Sequence, residues 1–250
     1  MSGKKHIYIC ISVLLWLLIW QLAASLININ IILPTPLSVL KSLYTLVTTK
    51  NYYNVILSSF GRIFLGFIYG LFSGLILALI GCICDFFHTF TGVLIKVIQS
   101  IPVASFIIFC FYIVSAEYLS TAIAAITVTP IIYVNVISTI SNTDKKILDF
   151  AKVYRLSFFK KAIYIYLPDI NHALIPASRV AVGFAVKSGV AAEIIGIVSG
   201  SIGNELYKSK IYLLMSDMFA WTISLIVVSF IIEKITAFIL KGVCALWEVK

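Results

Sequence analysis

The chain has 250 residues, 61% hydrophobic and only 12% charged, with a mean hydropathy of +1.08. A soluble domain is near half apolar and a quarter charged, so these values exclude an ordinary soluble fold and point to an all-α, polytopic membrane protein. The net charge of +9 fits cytoplasmic loops that collect Lys and Arg, and it is read without any nucleic-acid partner.

The N-terminal stretch MSGKKHIYICISVLLWLLIWQLAASL has the charge order of a signal peptide. Its apolar run is too long for one, which predicts a retained first span over residues 7–27. An external helix or loop follows at about 28–58. There Pro34 and Pro36 precede Leu37, Leu40, Leu43 and Leu46, a pattern that predicts a short helix along the outer membrane surface. A second span is expected over 63–83, and a third over 93–114, interrupted by QSIPVAS. The fourth runs over 119–140, the fifth over 173–198 and the sixth over 218–240. The runs are continuously apolar, not alternating, so helices are expected and not a barrel. Residues 1–250 then form one transmembrane domain of about six helices.

Six spans put both termini on one side. That side holds Lys4, Lys5, Lys241 and Lys250. It also holds the loop between the fourth and fifth spans, with Lys145, Lys146, Lys152, Arg155, Lys160 and Lys161. The other side holds Lys41, Lys50, Lys208 and Lys210. The bias places both termini and the 4–5 loop in the cytoplasm.

That loop, residues 144–168, reads as an amphipathic helix. Ile147, Leu148, Ala151 and Tyr154 share one face, and Lys145, Asp149 and Lys152 the other. A second short helix over 159–167 is expected to end at Pro168. A helix lying flat at the headgroups would explain the charge, but not two short helices with a proline stop, which suit a protruding contact element. Lys152, Tyr154, Arg155 and Phe158 are good anchors for such a contact.

Ionisable groups within a span are functional candidates by default. The fifth span carries Arg179, Lys187 and Glu193, which are candidates for a translocation path. Arg179 has the alternative of snorkelling to the interface, and Glu193 that of a structural hydrogen bond. Gly70, Gly74, Gly183 and Gly189 read as packing positions, and Asn135 as an interhelical hydrogen bond. Cys82, Cys84 and His88 lack a fourth ligand, so no metal centre is expected. Cys10, Cys110 and Cys244 complete the cysteines and give no disulfide framework. There is no Gly-x-x-x-x-Gly-Lys-Ser/Thr loop, so no nucleotide site and no bound cofactor are expected in this chain.

The stretch DFAKVYRLSFFKKAIYIYLP resembles the EAA coupling loop of ATP-binding-cassette importer permeases. Asp149 stands at the motif's Glu, Ala151 at its second Ala, and Leu167 and Pro168 at its end. Phe150 replaces the first Ala and Arg155 the Gly. Arg155 therefore either takes the bend, at about 1–2 kcal/mol, or continues the helix. LPTPLSVL, SSFGRIFLGFIYGLFSG, IQSIPVAS, ASRVAVGFAVKSGVAAEIIG and SGSIGNELY are similar, in order, to segments of the nitrate, sulfonate and taurine permeases. The resemblance implies that Asp149, Ala151, Lys152, Tyr154, Arg155, Phe158, Leu167 and Pro168 contact a cytoplasmic ATPase, which uses the ATP. It further implies a homodimer in a prokaryotic plasma membrane, served by an extracytoplasmic solute-binding protein. The solute would be a sulfonate, nitrate or thiamine-precursor-like compound, and the chain itself no enzyme. A stand-alone channel or secondary carrier would not need the 4–5 loop. A membrane-embedded lipid enzyme would need an acid, base or metal constellation that three histidines do not supply.

Overall fold

The computed structural model describes residues 2–248, without the side chains of residues 2–5, 145, 148, 152, 158, 159, 162, 163 and 243–248. The side chains of Leu148, Lys152 and Phe158, assigned above to the 4–5 loop, lie outside the described residues. So do those of Lys4, Lys5, Lys145, Cys244 and Lys250.

The elements in order are α1 (Ser2–Ile27), α2 (Pro36–Val47), α3 (Lys50–Ile83), α4 (Asp85–Ser100), α5 (Val103–Phe111), α6 (Ala116–Ser141), α7 (Lys145–Val153), α8 (Phe158–Lys161), a π-helical turn (Ala162–Tyr166), α9 (Leu167–Ile195), α10 (Ile202–Ile211) and α11 (Met215–Glu248). Among the described residues there is no strand. Five helices are long and apolar enough to cross a membrane: His6–Ile27, Lys50–Ile83, Ala116–Ser141, Tyr164–Ile195 and Met215–Gly242. The third expected span is the pair α4 and α5, bent by 98°. The break falls at Ile101 and Pro102, where the ring fixes φ and the residue before it is driven out of the helical region.

Two neighbours of that pair show that it is a crossing. Helices α3 and α6 run parallel. An added Cβ would lie 2.5 Å from Thr121 O at Gly66, 2.5 Å from Val128 Cβ at Gly70 and 2.8 Å from Ile132 Cβ at Gly74. Both residue numbers rise together, so the end of α3 and the start of α6 lie at opposite ends of the bundle. About 24 residues of α3 separate these levels, or about 36 Å at 1.5 Å per residue. The α4–α5 pair covers this height. Thr91 Oγ1 meets Tyr133 Oη at 2.9 Å near the lower end of α6. At the upper end Ile107 and Cys110 cluster with Leu119 and Ile123. The chain therefore makes six crossings.

Small residues let these backbones approach, as association within lipid requires when hydrophobic exclusion is unavailable. Gly189 does the same for α9, where an added Cβ would lie 2.8 Å from Ile63. Gly183 does not, since nothing in the chain lies within 4 Å of an added Cβ. Interhelical hydroxyl pairs complete the core: Ser73–Thr129 at 2.6 Å, Thr127–Ser188 at 2.9 Å and Tyr52–Ser224 at 2.8 Å. Asn135 departs from its expected role. It is exposed and donates to Ile131 O of its own helix at 2.7 Å.

Two boundaries and one helix face differ from the sequence reading. Helix α3 begins at Lys50, well before residue 63, because the polar turn KNYYN carries Tyr52 and Val55 into the core. In α2, Val39 is buried and Leu43 and Leu46 partly so, whereas Leu37 and Leu40 face out. Residues three apart step back by 60° on a helix of 3.6 per turn, so four such leucines cannot share one face. Pro168 does not stop a helix. It sits in the first turn of α9, where a missing N–H is tolerated, and the π-helical turn joins α8 directly to α9.

Helix α1 stands off the bundle, with Ala24 its one fully buried side chain among those described. Trp20 ties it down, donating from Nε1 to Pro34 O at 3.1 Å and stacking on Phe219.

Candidate functional site

The 4–5 loop is built at the end of the bundle reached by Ile83, Ser141 and Gly242. Lys146 N–H donates to Asp144 Oδ1 at 2.9 Å, which caps the start of α7. At the other end Leu156 N–H donates to Ala151 O at 2.9 Å. Arg155 has φ 49°. This is the six-to-one closure of a helix whose next residue is left-handed. Arg155 thus takes the bend that glycine takes in the motif, and does not continue the helix.

The apolar arc of α7 is turned outward. Ala151 is buried at 1% exposure, but Ile147 is 48%, Phe150 63%, Val153 78% and Tyr154 64% exposed. Of the shared face of Ile147, Ala151 and Tyr154, only the Ala151 edge is buried. Phe150 and Tyr154, one helical turn apart, stack with ring centroids 4.6 Å apart. Asp149, Arg155 and Pro168 are exposed and Leu167 half-buried.

The three ionisable residues of α9 have three different settings. Arg179 Nε lies 3.6 Å from Glu233 Oε1 of α11, with both side chains partly exposed. Lys187 is exposed, on the stripe that also carries Val180 and Phe184. Glu193 is fully buried. Its Oε2 accepts from Ser59 Oγ at 2.9 Å and from Gly203 N–H at 3.1 Å, and Ser59 Oγ accepts from Ile202 N–H at 2.8 Å. These bonds pin the start of α10 to α3 and α9. Gly203 is required there, since an added Cβ would collide with Glu193 Cβ. The structure thus brings Glu193 into an internal knot and leaves Lys187 on an open face.

Two parts of this arrangement escape a reading of the sequence. Ser59 and Gly203 carry no signal of their own, because their roles come from helices that meet only in the folded chain. Lys96 did carry one, as a lone cation inside the third apolar run. It is exposed on α4 and lines a groove of about 500 Å³ with His88, Gln99 and Tyr133. Among the described residues no three of His, Cys, Asp or Glu gather as a metal site.

No curated protein matches the chain. A family model does, over residues 85–243, from the start of α4 into α11 and more than half of the chain. With six crossings, a packed helical core and a capped helix at the fourth-to-fifth connection, the chain belongs to the binding-protein-dependent transport system inner membrane components, as the membrane-spanning permease subunit of an ATP-binding-cassette transporter.

Proposed function

We propose that this permease passes a small anion, such as a sulfonate or nitrate, through a homodimer whose opening is driven by an ATPase seated on α7. The observation that carries the ATPase contact is the outward apolar face Ile147, Phe150, Val153 and Tyr154. Four large apolar side chains at the polar end of a membrane bundle suit a protein partner, since aromatic residues anchor interfaces while rim charges set orientation. The bend at Arg155 turns the chain sharply back toward α9, so a push on α7 reaches the helix that carries Lys187. The excess of basic residues at this end supports a cytoplasmic placement of it and of both termini.

Lys187 supports the anion. It lies at the height of Thr127 in α6, near the middle of the bundle, and an ammonium facing lipid there costs roughly 2.5–3.5 kcal/mol on insertion scales. A second copy closing over the Val180, Phe184 and Lys187 stripe would give it a water-filled path instead. Glu193 takes no part in that path and serves the outer scaffold.

The test is co-purification. The chain expressed with its ATPase should retain ATP hydrolysis in detergent, and the triple variant Ile147→Ser, Phe150→Ser, Tyr154→Ser should lose it while remaining folded. Full retention of the ATPase by the triple variant refutes the α7 contact.

A further inference from the structure

We propose that Lys96 and Gln99 form a second anion-holding station, in series with Lys187 and nearer the α7 end. The proposal rests on the permease reading and adds a site to it. His88, Lys96 and Gln99 lie eight and eleven residues apart from the first, two and three turns along one side of α4. They open onto the groove of about 500 Å³ beside Tyr133. Gln99 also lines a second groove of about 300 Å³ at the α4–α5 break, with Thr127, Pro130 and Phe184. Thr127 Oγ1 lies 2.9 Å from Ser188 Oγ, and Ser188 adjoins Lys187. Phe184, one helical turn before Lys187 and on its exposed stripe, lines that second groove, so the two grooves lead from Lys96 toward Lys187 along the seam of α4, α6 and α9.

Charge decides the ligand class. No acid lines either groove. Among the described residues neither lysine makes an ion pair, and both are exposed. An ammonium within a span is strongly disfavoured against lipid, so each lysine needs water or a counter-ion. The lysine ammonium and the glutamine amide, both on exposed residues, supply donors, which suit a small oxyanion. The second groove sits at the helix break, lined by Ile101 and Val103, where α5 turns by 98°.

The test uses charged thiol reagents, so no transported solute has to be known. In the full chain with its native cysteines replaced and its ATPase bound, Gln99→Cys is exposed to a sulfonate-bearing and to a trimethylammonium-bearing methanethiosulfonate. Both rates are taken relative to Ser199→Cys, on the exposed outer loop. The expected result is a preference for the anionic reagent of at least about tenfold, in the range that focused fields produce. It should be kept with Lys96→Arg and abolished with Lys96→Met. Thr89→Cys, on the same groove, is a second reporter should the first variant misfold. A ratio equal to that at position 199, a preference indifferent to Lys96→Met, or no reaction at either reporter overturns the proposal. If the ATPase does not co-purify, it is the proposed α7 contact that fails, and the rate ratio measured on the chain alone still decides the station.

Discussion

Arg155 holds a left-handed backbone that costs a residue with a Cβ about 1–2 kcal/mol. Arg155→Gly should therefore raise thermal stability in detergent relative to Arg155→Ala, since both remove the long side chain and only one removes the strain. Equal melting temperatures would show that the bend is not strained. Gly203 poses the opposite case. A methyl group there meets Glu193 and the α9 backbone at the point where α10 is pinned, so Gly203→Ala should lower stability by about 1–3 kcal/mol. An unchanged melting temperature would mean that α10 is not held so closely. The Arg155 bend was half legible in the sequence, because the chain offered two options and only the backbone closure at Leu156 selects between them. For Glu193 the sequence offered a structural hydrogen bond as an alternative but not its partners, since Ser59 lies 134 residues away and Gly203 lies beyond the turn that follows α9.

At the scale of elements, the glycines of α3, α4 and α9 divide by what faces them. Gly70→Ala would push a Cβ to 2.5 Å from Val128 and should weaken α3–α6 packing. Gly92→Ala and Gly183→Ala, where an added Cβ meets nothing from another element within 4 Å, should not lower the isolated subunit's melting temperature. Similar losses at all three positions would refute the parallel register that makes α4 and α5 a crossing. Apolar runs located every span, because lipid demands about 20 such residues whatever the neighbours are. They did not locate the ends. Helix α3 extends to Lys50 and α9 takes in Pro168, because ends are set by packing and by π-turn hydrogen bonds, which hydropathy does not record. The direction in which α7 faces was also hidden. Its apolar arc was evident, but an amphipathic helix shows equally whether it meets its own bundle or a partner.

For the whole molecule, six crossings place residue 146, the start of α1 and the end of α11 on one side and residues 51 and 208 on the other. Cysteines at Lys146 and Lys208 should label with an impermeant reagent from opposite sides, the first from the cytoplasm. Labelling of both from one side would remove a crossing. The central claim is that ATP binding to the partner moves this subunit between two openings, which separates an importer permease from a channel or a carrier. Lys187→Cys, in the cysteine-free chain assembled with its ATPase in sealed vesicles, measures this directly through reaction with an impermeant thiol reagent applied to either side. The account predicts reaction from one side without nucleotide, and from the opposite side when the ATPase is trapped with ATP and vanadate. Reaction from the same side in both conditions, or from both sides at once, would contradict it.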